Sequence, residues 1–140
     1  MPVKRRVLFV CIGNSCRSQM AEAFARRYGS DVLEAASAGV YPAPMVAPLT
    51  GQVLKERNIG IEGHFPKDLS EVLHEPFDLV VNMSGLPLEI PRADRIEWIV
   101  PDPIGQPEEV FRSVAGQIES LVMRLILDLR SEFKSWNRGA

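Results

Sequence analysis

A chain of 140 residues, 46% of them hydrophobic, can bury one core and is too short for two domains of ordinary size. A net charge of -2 and a pI near 5.7 exclude the basic footprint of a general nucleic-acid binder or of a protein held on an anionic membrane. Lys4-Arg5-Arg6 is a small basic cluster, but the apolar run behind it is too short for a signal peptide or a membrane span, and two cysteines make no disulfide framework, so a reducing, cytoplasmic setting is expected.

Val7 to Val10 is a continuous apolar run of the kind found in buried strands, and Gln19 to Tyr28 carries Met20, Phe24 and Tyr28 at helical spacing. Between them lies Cys-Ile-Gly-Asn-Ser-Cys-Arg-Ser, residues 11 to 18. A short polar loop that curls from a strand into a helix N-terminus gathers backbone N-H groups and the positive end of the helix dipole, which suits a tetrahedral oxyanion. The amides of Ile12, Gly13, Asn14, Ser15, Cys16 and Arg17 are the expected cradle. Gly13 should adopt backbone angles closed to other residues, and Asn14 tolerates the left-handed region. The Arg17 guanidinium can close a planar fork on two oxygens, and the same positive field favours the thiolate of Cys11 as a nucleophile. The loop lacks the Gly-Lys-Ser/Thr ending of a nucleotide-binding Walker motif.

Further along, Leu33 to Ala38 reads as a second strand and closes on Ser37-Ala38-Gly39, which gives a strand-helix-strand unit suited to a right-handed parallel crossover. Val40 to Pro48 holds Pro42, Pro44, Pro48 and Tyr41 and reads as a loop at the mouth of the site. Leu49 to Arg57 is a helix stopped by Asn58 and Gly60. His64 precedes a short helical pattern, Leu69 to Leu73, with Asp68 or Ser70 as its cap; His74 reads as a solvated residue at that helix end. Phe77 to Met83 and Arg95 to Val100 are the third and fourth strands. Asp102, between Pro101 and Pro103, follows the fourth strand and should share a rim with Cys11, since open α/β sheets build their sites at the carboxyl ends of their strands. Glu108 to Phe133 carries Phe111, Val114, Ile118, Leu121, Leu125 and Leu129 as one apolar stripe, expected to be core, with two glutamates favourable in its first turn. Ser135 to Ala140 should fray, with Trp136 either docked or exposed.

Cys-x5-Arg-Ser near the N-terminus, filled as above and continued by Met20-Ala21-Glu22-Ala23, resembles the low-molecular-weight protein tyrosine phosphatases and the related arsenate reductases over nearly the whole chain. The resemblance implies a single α/β domain spanning residues 1 to 140, with a doubly wound four-stranded parallel sheet in order 2-1-3-4 and helices on both faces. It implies phosphotyrosine or aryl phosphomonoester hydrolysis without metal or cofactor, acting as a monomer or weak dimer. Cys11 is then the nucleophile, Asp102 the general acid, and Ser18 a hydrogen-bond donor to the thiolate. Ser37 and His64 would support Asn14, and Cys16 would form a reversible disulfide with Cys11. Ser15 and Gln19 look more like the arsenate reductases; separately, Ile104 and Gly105 stand where many of the phosphatases have tyrosines, and Tyr41 or Trp98 could replace the aromatic wall those tyrosines provide. Asn82-Met83-Ser84-Gly85, where reductases with an internal relay carry cysteine, points back to hydrolysis. The second expectation is therefore an arsenate reductase that relies on an outside thiol such as glutathione or mycothiol.

Overall fold

The computed structural model describes residues 3–139, with side chains to Lys134. The organising strand is β1 (Arg5–Cys11), in which Val7, Leu8, Phe9 and Val10 are fully buried. A strand apolar on both faces belongs in the middle of a parallel sheet, and β1 is flanked by β2 (Leu33–Gly39) and β3 (Leu79–Asn82), with β4 (Asp94–Glu97) outside β3. All pairings are parallel and the order is β2-β1-β3-β4, as expected.

The pleat divides the core in two. Val7, Phe9 and Val81 point to one face and meet α1 (Arg17–Gly29), α2 (Pro48–Lys55) and α4 (Glu108–Gly139). Leu8, Val10 and Val80 point to the other, which is covered by Phe77, Leu88 and the four-residue helix α3 (Leu69–Val72). Helices thus lie on both faces, but very unequally. Asp68 caps α3 in a capping box with Glu71.

Element ends shift by a few residues from the sequence expectation, and two differences in α4 and one in β4 matter. β4 ends at Glu97 instead of running to Val100, because residues 98 to 101 leave the ladder to reach the rim. In α4 the fully buried positions after Ile118 are Val122 and Ile126, with Leu121 and Leu125 only partly buried beside them, because several apolar residues share one broad face and packing selects among them. The same helix runs past Ser135 to Gly139. The Trp136 side chain and Ala140 lie outside the described residues.

Candidate active site

β1 ends at Cys11, opposite Gly39 of β2, and the chain then curls through residues 12 to 16 before α1 begins at Arg17. What shapes the curl is where its carbonyls go. Those of Cys11, Ile12, Gly13 and Ser15 accept from the amides of Val40, Tyr41, Ala43 and Ala47 at 2.8 to 3.2 Å, and that of Asn14 accepts from Gln19 Nε2 at 3.1 Å. A trans peptide points N-H opposite to C=O. The N-H groups of Ile12, Gly13, Asn14, Ser15 and Cys16 therefore turn away from these partners and into the hollow of the loop. No side chain caps the start of α1 and its first turn holds no acidic residue, which leaves the dipole end open to an anion.

Asn14 is left-handed, with φ 49°. Gly13 is not in that region, and a Cβ built on it meets Ala43 Cβ at an ordinary 3.5 Å. The expectation of special angles at Gly13 is corrected accordingly; the position that tolerates nothing larger than hydrogen is Gly39, where a Cβ would lie 2.7 Å from Ile12 O and 2.9 Å from Asn14 N.

Cys11 is buried, with Sγ 2.9 Å from Ser18 Oγ. The Arg17 side chain is also buried, and its Nη1 donates to the carbonyls of Met83 at 2.7 Å and Val100 at 3.0 Å, the backbone just past β3 and β4. Its Nη2 stands 3.7 Å from Asp102 Oδ2. Asp102 is 46% exposed, and its Oδ1 accepts from Ile104 N at 3.1 Å, a short local turn that holds the carboxyl over the rim. The sheet thus brings Cys11, Arg17, Ser18 and Asp102 to one rim. Ser15 ties the loop to its neighbour: its Oγ donates to Met45 O and accepts from Ala47 N, while its carbonyl accepts from Thr50 Oγ1.

Two supporting residues fall elsewhere. Ser37 does not hold Asn14; its hydroxyl donates to Glu22 Oε1 at 2.5 Å, and Glu22, 3% exposed, is paired on its other oxygen with Arg26. A buried carboxylate accepts a hydroxyl's bond more strongly than a neutral amide oxygen does. His64 is one residue removed from Asn14, with Nδ1 2.9 Å from Gln19 Oε1, and burial holds its pKa below the usual histidine value. Gln19 and Glu22 are the residues that sequence reasoning missed as site members. Their signal was a polar residue on a helix face otherwise committed to core. Trp98 packs against Phe9, centroids 5.9 Å apart, and lines a hollow beside Arg17, Met83 and Val100; Tyr41 is 72% exposed. Cys16 is buried, and burial pushes its thiol up to about 12. Ser84 is buried, with Oγ on Asn82 Oδ1 at 2.7 Å.

Comparison with known proteins agrees with this fold. The family model for low molecular weight phosphotyrosine protein phosphatases matches residues 6–135. A Synechocystis protein named glutaredoxin arsenate reductase is 35% identical over 87% of this chain and 96% of its own. Among solved structures, an arsenate reductase in the phosphate binding state superposes with TM-score 0.79 at 33% identity, covering 89% of this chain and 98% of that one. The YwlE arginine phosphatase from Geobacillus stearothermophilus also gives 0.79, at 29% identity, covering 91% and 94%. The names of the relatives favour the second of the two expectations drawn from sequence, and the phosphatase neighbour keeps the first in play.

Proposed function

Because the chain belongs to the low molecular weight phosphotyrosine protein phosphatase family, we propose that it is a cysteine-dependent phosphatase acting on phosphotyrosine or other aryl phosphomonoesters. The observation that supports this reading is the inventory of thiols, which leaves no internal relay, so reduction would call on an outside thiol while hydrolysis calls on none. The chain has two cysteines, both in the loop, and Cys16 is buried and held as a thiol, while Ser84 stands in the rim segment after β3. Hydrolysis needs one thiol and water. Arsenate reduction needs two thiols to supply its two electrons.

In the first step Cys11 Sγ attacks phosphorus as the bond to the leaving oxygen breaks. The loop amides and Arg17 hold the equatorial oxygens, and Asp102 gives its proton to the leaving phenolate. In the second, ionised Asp102 takes a proton from water as its oxygen attacks phosphorus and the sulfur-phosphorus bond breaks. Ser18 stabilises the departing thiolate with its hydrogen bond, and phosphate leaves.

Arsenate reduction is the second reading, favoured by the names of the relatives. Cys11 would displace water from arsenate; an outside thiol of the glutathione or mycothiol class would then attack the Cys11 sulfur, releasing arsenite with the electron pair of the sulfur-arsenic bond and leaving a mixed disulfide.

The test is hydrolysis of para-nitrophenyl phosphate under reducing conditions, beside arsenate-dependent oxidation of added glutathione or mycothiol. Hydrolysis lost in Cys11→Ser and lowered by about two to four orders of magnitude in Asp102→Asn is the expected outcome. A wild type that leaves the ester intact but oxidises thiols on addition of arsenate overturns the hydrolase reading in favour of the second.

A further inference from the structure

Gln19 sits fully buried in the first turn of α1. Its Nε2 faces three oxygens, Asn14 O at 3.1 Å, Asn14 Oδ1 at 3.2 Å and Phe65 O at 3.0 Å. Three acceptors around one end of an amide fix that end as nitrogen. Oε1 then faces His64 Nδ1, which must carry the proton between them. The Asn14 amide is fixed in the same way, because its Oδ1 also accepts from Lys67 N at 2.9 Å, so Nδ2 is the group that donates to Ser18 Oγ at 2.7 Å. When Cys11 is the thiolate it can only accept, so Ser18, held by the Asn14 amide, turns its own proton to Cys11 Sγ at 2.9 Å. From His64 through Gln19, Asn14 and Ser18, one donated bond at each step points toward the sulfur.

We infer that Gln19 is the positioning residue of this relay: its buried amide sets the direction of the chain, pins Asn14 in its left-handed conformation, and so holds Ser18 where it donates to the Cys11 thiolate. The inference rests on Cys11 being the nucleophile and is indifferent to whether phosphorus or arsenic is attacked. A hydrogen-bond chain of uniform polarity strengthens each of its members and places the net effect at its end, here the group whose charge changes during either reaction. A space-filling role would ask only for a side chain of this volume, which methionine supplies.

The discriminating experiment reads the sulfur without a substrate, by the rate at which iodoacetamide alkylates Cys11 near neutral pH, with thermal unfolding of each variant alongside. Gln19→Met keeps the volume and removes every hydrogen bond; Gln19→Glu keeps the shape and turns a carboxylate on three oxygens. Alkylation should slow roughly tenfold in Gln19→Met, the worth of about one to two hydrogen bonds, and further in Gln19→Glu. Gln19→Met combined with Asn14→Ala should be no slower than Asn14→Ala alone, because the two act in series. In turnover, kcat should fall with KM little changed. Wild-type alkylation in Gln19→Met, or losses that multiply in the double variant, overturns the inference. Should Gln19→Met fail to fold, Gln19→Asn, with the same groups on a shorter stem, is read by the same criteria. Fast alkylation of a wild type that hydrolyses no ester would sink the phosphatase reading and leave this one standing.

Discussion

Arg17 shows how a charged side chain is kept buried and still available. One terminal nitrogen is held by the Met83 and Val100 carbonyls and the other faces the rim beside Asp102, so the fork is oriented before any anion arrives. Lysine offers a single point charge and cannot satisfy both carbonyls while reaching the loop. Arg17→Lys should therefore raise the Kd for inorganic phosphate by roughly ten to a hundredfold, measured by calorimetry or by competitive inhibition. The two thiols a few residues apart make a second contrast. Cys16 is buried and pushed up to about 12, so near neutral pH it stays protonated and unreactive. Mass mapping after brief treatment with iodoacetamide should find the label on Cys11 alone, and substantial label on Cys16 in the folded protein would contradict the burial argument. Ser18→Ala should slow breakdown of the cysteinyl intermediate more than its formation, seen as a burst of nitrophenol before a reduced steady rate.

Among the elements, the contact between the end of β2 and the loop after β1 is the tightest constraint. Alanine at Gly39 would place a methyl carbon against two backbone atoms of that loop, which cannot yield as a side-chain tip can. Gly39→Ala is expected to cost about 1–3 kcal/mol in urea unfolding and to weaken phosphate binding as well, whereas Gly13→Ala, with ordinary contacts, should be close to neutral in stability. This pair marks the limit of what could be read from the chain. The apolar run of β1, the Cys-x5-Arg-Ser loop and the rim position of Asp102 are local patterns that force their own geometry, and they were legible. Which glycine is crowded, whether Ser37 turns to Asn14 or to Glu22, and that Gln19 stands between His64 and Asn14 depend on how separate segments meet, and no spacing encodes that. The shift of the α4 core stripe to Val122 and Ile126 is of the same kind, because several apolar residues compete for one face and packing selects among them. Ile126→Ala should cost about 2–5 kcal/mol, while Leu127→Ala, on an exposed position, should cost far less.

For the molecule as a whole, the unequal covering of the sheet puts nearly all helical packing on the Val7 and Phe9 face, while the loop, α1 and the residue 64 to 68 segment are joined by buried polar groups. That junction makes stability sensitive to mild acid. His64 is held below the ordinary histidine value, first by burial, against the opposing pull of Glu22. Between its folded value and about 6.5, the value of a free histidine, the unfolded chain binds more protons than the folded one. The slope of unfolding free energy with pH has the sign of that difference. Stability should thus be unaffected by this group at higher pH and should fall as pH drops through about 6.5. The loss should level off once His64 is protonated in the folded state too. Urea midpoints for the wild type and for His64→Asn between mildly acidic and neutral pH test this. His64→Asn should flatten the decline in that window, and an equally steep decline in the variant would assign the acid sensitivity to other groups.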